Sequence, residues 1–278
     1  MDRDSHNPLG IRREETYHIW AGVPTRGSSG EIIATVNPSF ETTSRVLAER
    51  RLGTVRDLAL TLSITRTREE FFDATLGSLG RNPYDLPFII CYSCQLVVPP
   101  KQTPFVKGVW KEVSYQSQIP ASFHLQYQGS LGVPRGHPCV PAQVRFFVDP
   151  AFQPEFRTPQ RDSTPSPGHP PEIDGNFPWP FRESCLTGKP VYVSDVERWR
   201  DGLEPRGWED DPRGAVVIPI LKPGESPQAV LIVGLNPRRP FDSPYADWLQ
   251  LIAKQLATHI SITEAYSNEV AKAHEMAR

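Results

Sequence analysis

Cys91-Tyr-Ser-Cys94 sets two thiols at the spacing that metal and dithiol sites use. Their surroundings, Leu86 to Val98, are rich in β-branched and aromatic residues and read as a buried strand. Along a strand, side chains three residues apart point to opposite faces, so the two sulfurs cannot grip one ion. Cys139 and Cys185 stand singly elsewhere, and buried strand cysteines are the expectation for the pair. Trp110, Trp179, Trp199 and Trp208 are of a type that lines small-molecule pockets, although aromatics beside loops more often anchor packing. Arg238-Arg239 could meet a phosphate, but exposed loop arginines are expected there. Gly129 to Gly136 lacks the Gly-Lys-Ser/Thr ending of a phosphate loop. No Gly-x-Ser-x-Gly elbow occurs, and no Ser, His and Asp spacing selects a triad. The residues nominate no catalytic group and no metal site.

The elements that must carry these residues are bounded by composition. The chain has 278 residues, long enough for one large or two small domains and a sizeable core. Lys plus Arg total 30 against 32 Asp plus Glu, a net charge of -2 that favours neither nucleic acid nor an anionic membrane. No apolar run reaches the length of a membrane span, and MDRDSHNPLG lacks a signal-peptide core. The 4 scattered cysteines make no disulfide framework, so a reducing, cytoplasmic setting is expected. Proline, at 30 residues, is concentrated in the middle and predicts long loops there.

Residues 1–10 read as disordered. Thr16 to Val23 and Glu31 to Val36 read as strands around a turn at Arg26 to Gly30. A helix is predicted from Glu41 to Ser63, with Ala48, Leu52, Val55, Ala59 and Leu62 at coiled-coil steps. A second follows from Glu69 to Leu79, with Thr67 as N-cap and Glu70 at the capping-box position. Ser122 to Gln128 alternates as a strand. From Gly129 to Phe181 the chain reads as a loop insertion, interrupted by a period over Ala142 to Val148 and partly disordered over Thr158 to Glu172. A short helix, Phe181 to Thr187, ends at Gly188, and a strand covers Val191 to Val193. Ala215 to Ile220 and Ala229 to Leu235 form a hairpin around Pro223 to Pro227. The last helix is predicted to start near Ser243 as N-cap with Pro244 at N1, its apolar face built on Leu249, Ile252, Leu256 and Ile260. This order describes an α+β fold, an antiparallel sheet with the first and last helices packed together on one face.

Leu86-Pro-Phe, Trp179-Pro-Phe181, Thr187-Gly-Lys-Pro190 with Val193-Ser-Asp195, Gly214-Ala-Val-Val-Ile-Pro219 and Gly234-Leu-Asn-Pro-Arg-Arg-Pro-Phe241 together resemble a GAF domain. The likeness is to the GAF domains of PAS–GAF hybrid sensor histidine kinases. Upstream, Tyr17 to Val36 followed by Glu41-Thr-Thr-Ser-Arg-Val-Leu-Ala-Glu-Arg-Arg51 resembles the closing strands and exit helix of a PAS domain. The organisation this implies is a tail with partial PAS-like strands over 1–40, a signalling helix over 41–64, a GAF domain over 65–265 with its insertion at 129–178, and an exit helix over 266–278.

The resemblance implies a cytoplasmic sensory module of a two-component system that binds a small ligand or dimerises, and signals through its terminal helices. Expected partners are a second copy, paired through those helices, and histidine kinase and response-regulator domains. Neither nucleic acid nor membrane is expected. Tyr92, Cys94, Trp179 and Trp208 are the candidate ligand-binding residues, for a small molecule that the sequence does not name. No cofactor is identified. Bilin attachment would need a motif that Gly136-His-Pro-Cys139 does not supply, and the cyclic-nucleotide signature is missing after Asn236. His274-Glu275 echoes the start of a phosphoacceptor box without its Arg-Thr-Pro, and reads as a solvated helix histidine. The expectation is therefore a sensor fragment without the catalytic core, not itself an enzyme. The alternative is a stand-alone degenerate GAF scaffold for protein–protein interaction.

Overall fold

The computed structural model describes residues 13–98, 121–148 and 178–276, with backbone alone for 267, 268 and 270–275. The disorder expected over residues 1–10 and over Thr158–Glu172, the segment 99–120 with Trp110, and the side chains of His274 and Glu275 lie outside the described residues.

The expected strand, turn and strand near the N-terminus form a narrow ribbon of four short strands. β1 (His18–Trp20) pairs with β4 (Ser39–Glu41), and β2 (Val23–Arg26) pairs with β3 (Ile32–Val36), all antiparallel. The register puts Ile19 opposite Phe40 and Val23 opposite Val36, so one face of the ribbon is apolar. Every strand residue of the ribbon is exposed. Its root is fixed to the body: the Thr42 N–H donates to Tyr17 O at 2.8 Å, and the Tyr17 N–H to Thr43 Oγ1 at 2.9 Å.

Two helices follow. α1 spans Thr43–Leu62 and α2 spans Arg68–Leu79. α2 begins with the expected capping box, in which Thr67 and Glu70 each bond the other's backbone N–H. α1 corrects the sequence reading. Its buried residues are Thr43, Leu47, Arg51, Thr54, Leu58 and Leu62, so of the predicted stripe only Leu62 is buried. Ala48 and Leu52 face solvent, and Val55 and Ala59 are half-buried. Hydropathy pointed to the wrong face because polar Arg51 and Thr54 occupy inward positions, where the structure gives them partners.

One six-stranded antiparallel sheet forms the body, in the order β7 (Gln143–Phe147), β6 (Ser122–Leu131), β5 (Ile89–Val97), β10 (Ala229–Gly234), β9 (Ala215–Ile220), β8 (Val191–Val193). β6 runs on to Leu131, past the predicted end at Gln128, and the periodic stretch at Ala142 to Val148 supplies the edge strand β7. β9 and β10 are buried along their whole length. Alternate residues feed two cores: Val216, Ile218, Leu231 and Val233 face α1, α2 and α4 (Ser243–Met276), whereas Val217, Val230 and Ile232 face the other way. The fold class is thus α+β, with the first and last helices on one face as expected. α3 (Phe181–Thr187) packs on the opposite face and ends at Gly188, whose φ of 66° closes the turn.

α4 starts one residue earlier than predicted. Asp242 Oδ1 accepts the Tyr245 N–H at 3.0 Å, so Asp242 is the cap and Ser243 the first helical residue. The assignment of core faces on α1 has a direct test in denaturant unfolding. Leu58→Ala, at a fully buried site, is expected to cost about 2–5 kcal/mol, and Leu52→Ala less than about 0.5 kcal/mol.

Candidate functional site

Three of the four candidate ligand residues meet in the core on the α3 side of the sheet. Tyr92 and Cys94 point into it from β5, and Trp179 enters from the segment before α3. Each is at most 3% exposed. Their polar atoms are held within the protein. The Tyr92 hydroxyl donates to Pro141 O at 3.0 Å, and Trp179 Nε1 donates to Cys139 O at 2.7 Å. The Tyr92 ring meets Phe181 edge-on at 5.1 Å. Trp208 lies apart, half-buried, with its ring against Tyr84 at 4.8 Å and the Arg238 guanidinium 4.2 Å above it. Gly207, at φ 75°, lets this loop approach the Pro83 carbonyl, where any Cβ would stand 2.4 Å from the oxygen. The cleft beside Trp208, lined also by Phe88 and Arg206, has room for about 20 Å³, the scale of a single water.

The cysteines are structural. Cys91 faces the helix-side core and Cys94 the other, as strand geometry requires. The free thiols of Cys94 and Cys185, the latter projecting from α3, share a hydrogen bond. His137 Nε2 donates to Asp201 O at 2.7 Å, so Nδ1 is the acceptor for the Cys139 N–H at 3.2 Å and for the Cys139 thiol at 3.0 Å. That contact has the outline of a Cys–His dyad but not its electrostatics. Burial pushes the Cys139 thiol up to about 12, the reverse of an activated nucleophile. Burial likewise raises Cys91 to about 12 and Cys185 well above the ordinary thiol value.

On the helix side, a polar junction ties the N-terminal segment to α1 and to the start of α4. Arg50 of α1 bridges two buried carboxylates. Its NH1 lies 2.6 Å from Glu15 Oε1, and its Nε lies 2.7 Å from Asp85 Oδ2. Glu15 also accepts from Asn236 Nδ2 at 2.7 Å and from the Tyr17 hydroxyl at 2.9 Å. Asp85 also accepts from Asn82 Nδ2 at 3.0 Å and from Arg51 NH2 at 3.4 Å. The Tyr245 hydroxyl of α4 donates to the Asp85 carbonyl and accepts the Asn236 N–H. Arg51 rests on the Tyr245 ring at 4.1 Å, and Trp248 Nε1 donates to the Arg51 carbonyl at 2.9 Å. Burial alone would raise Asp85, but the hydrogen bonds and charge of Arg50, with Arg51 and Asn82, outweigh it and hold the carboxyl below its ordinary 3.8. Arg50 is held charged: burial opposes its charge, and the two carboxylates more than offset that.

The sequence reading did not find this junction. Its partners lie 35 and 221 residues apart, and the one local sign was two polar residues, Arg51 and Thr54, on what proved to be the inner face of α1. Arg238 and Arg239 also depart from the exposed reading, at 17% side-chain exposure each. Arg238 pairs with Asp210, and Arg239 with Glu14 at 3.0 Å. Among the described residues, no group of three or more His, Cys, Asp or Glu is placed to hold a metal ion, and no helix is long and apolar enough to cross a membrane.

A family model described as GAF domain matches residues 146–261. That stretch is similar to GAF domains. The match runs through α3, the β9–β10 hairpin and most of α4, and includes every quoted motif of the resemblance except Leu86-Pro-Phe. Solved GAF domains that resemble the chain include those of phosphoenolpyruvate-protein phosphotransferases from Coxiella burnetii and Acinetobacter. The first is 13% identical at a TM-score of 0.42, covering 80% of this chain and 98% of its own. The second is 11% identical at 0.41, covering 77% and 95%. The GAF domain of a putative sensor histidine kinase from Pseudomonas syringae pv. tomato is 12% identical at 0.37, covering 82% and 96%. Identities this low say nothing of function. No curated protein matches the chain.

Two outcomes are expected. In the native protein the four buried cysteines are expected to resist an aromatic disulfide reagent at pH 8 and to react together after denaturation; fast native labelling of Cys139 would contradict a structural role. Arg50→Ala strands two buried carboxylates and is expected to cost roughly 3–5 kcal/mol in denaturant unfolding. Because the folded Asp85 is depressed, its stabilisation is full above the ordinary aspartate value and falls away as pH drops through the folded one. Melting curves of Asp85→Asn should accordingly lose part of the acid dependence seen in the parent.

Proposed function

We propose that this chain is a sensory or regulatory module of a cytoplasmic two-component histidine kinase, and that its GAF domain passes a change of state through α1 and α4. One observation carries the reading. Glu15 before the ribbon, Arg50 and Arg51 on α1, and Tyr245 on α4 meet in a single buried ionic junction. A shift in one of these elements then shifts the others, because moving any member away leaves a buried charge unpaired. The kinase context rests on the sequence resemblance. In this reading the chain senses and relays, and phosphotransfer belongs to a kinase core and its response regulator.

The dimer expected for such a module would use the outer face of α1. Ala48, Leu52, Val55 and Ala59 keep heptad spacing there, with Leu52 67% exposed, and α4 adds exposed Leu251, Ile262 and Tyr266. A second reading, a degenerate GAF scaffold that only pairs with proteins, is favoured by the mutual packing of Tyr92, Cys94 and Trp179 where a small ligand was expected.

Light scattering with Leu52→Glu tests the relay. The parent is expected to be a dimer and the variant a monomer with nearly unchanged melting temperature, and a histidine kinase carrying the variant should lose its normal autophosphorylation response. A monomeric parent, or a variant that dimerises and signals as before, would overturn the reading.

A further inference from the structure

Among the described residues, the helices cover β5, β10, β9 and the end of β6, where Leu76 of α2 lies against Gly129, but leave β7 and the first half of β6 uncovered on their helix-side face. Register sets two cross-strand rows on that face: Ser93, Gln126 and Gln143, then Gln95, His124 and Arg145. With Arg68 of α2 and Glu264 of α4 as its wall, this face forms a groove of about 730 Å³. That volume is within the range of small-molecule sites, roughly 300–1,000 Å³. The groove is on the opposite side of the sheet from the core that holds Tyr92, Cys94 and Trp179.

Its electrostatics are one-sided. Glu264, the acid of the wall, is already matched by Arg68 NH1 at 2.7 Å and by Gln228 Nε2 at 2.7 Å. Arg145 stacks on Phe147 at 5.3 Å and makes no ion pair among the described residues. His124 Nε2 meets Ser122 Oγ at 3.0 Å, which leaves Nδ1 open. The side-chain amides of Gln95, Gln126 and Gln143 are exposed and have no hydrogen-bond partner among the described residues. A forked guanidinium beside amide donors suits planar carboxylates, and the amide oxygens suit hydroxyl or amino hydrogens.

We propose that this groove binds a small polar carboxylic acid, with Arg145 as the charge partner of a carboxylate and the three glutamines fixing its orientation. The proposal rests on the sensory reading for its meaning, as the source of the signal, but the binding is measured without any kinase.

Calorimetry and thermal melts of the full chain with citrate, at constant ionic strength, test it. Saturable binding is expected, with a melting temperature that rises with citrate concentration. Arg145→Ala should weaken binding about ten-fold or more, the loss of one charge-assisted contact, and Gln143→Ala should weaken it less. Arg56→Ala, an exposed arginine on α1, should bind as the parent does. Absence of saturable binding, full binding by Arg145→Ala with an intact fold, or equal loss in Arg56→Ala would overturn the proposal. Such a failure leaves the helix relay standing, since light scattering reads that separately.

Discussion

A guanidinium placed between two buried carboxylates is stable only while both remain in place. Arg50 holds Glu15 on one side and Asp85 on the other, and neither acid has bulk water to fall back on. Each member is therefore hostage to the rest. Asn236, Asn82, Tyr17 and Tyr245 complete the remaining hydrogen bonds, which is what makes a buried charge cluster tolerable. The consequence is topological. The segment before the ribbon, both terminal helices, the turn into β5 and the loop after β10 are all set by one cluster. The ribbon, which alone would be marginal as a two-stranded element, owes its fixed root to this neighbourhood.

The sheet separates two interiors of different character. The helix-side core is apolar throughout its middle and joins the polar junction at the end where β5 begins. The opposite core is aromatic and thiol-rich, and the Tyr92 hydroxyl and Trp179 Nε1 are paired within the protein. The three ligand candidates found there work as packing residues in this state of the molecule. A row of exposed polar side chains without partners among the described residues lies instead beside β7 and the first half of β6, on a face that an inventory of aromatic residues would pass over.

Local chemistry made much of the fold legible. The Thr67–Glu70 box, the α3 stop at Gly188 and the turn at Pro223 to Pro227 each depend on residues within a few positions of one another. The β9–β10 hairpin and the strand at Val191–Val193 were legible for the same reason, because continuous apolar runs between turn residues have few other solutions. Where the reading slipped, a polar residue had taken an inward position. Arg51 and Thr54 turned α1 by a fraction of a turn relative to its most apolar stripe, and Asp242 took the cap from Ser243 because its carboxylate reaches the Tyr245 N–H.

By itself, then, the sequence determined most of the elements, though not β4 or β7, together with the α+β class and a resemblance that a family model matches over residues 146–261, since these follow from short-range propensity and pattern. It also determined that Cys91 and Cys94 part to opposite faces, because a strand alternates whatever surrounds it. Only the tertiary structure decided which face of α1 is inside, that Glu15 and Asn236 meet across 221 residues, and which polar side chains are left unpaired. The physical reason is the same in each case. The free energy of a buried charge depends on partners brought together by folding, and no spacing along the chain records them.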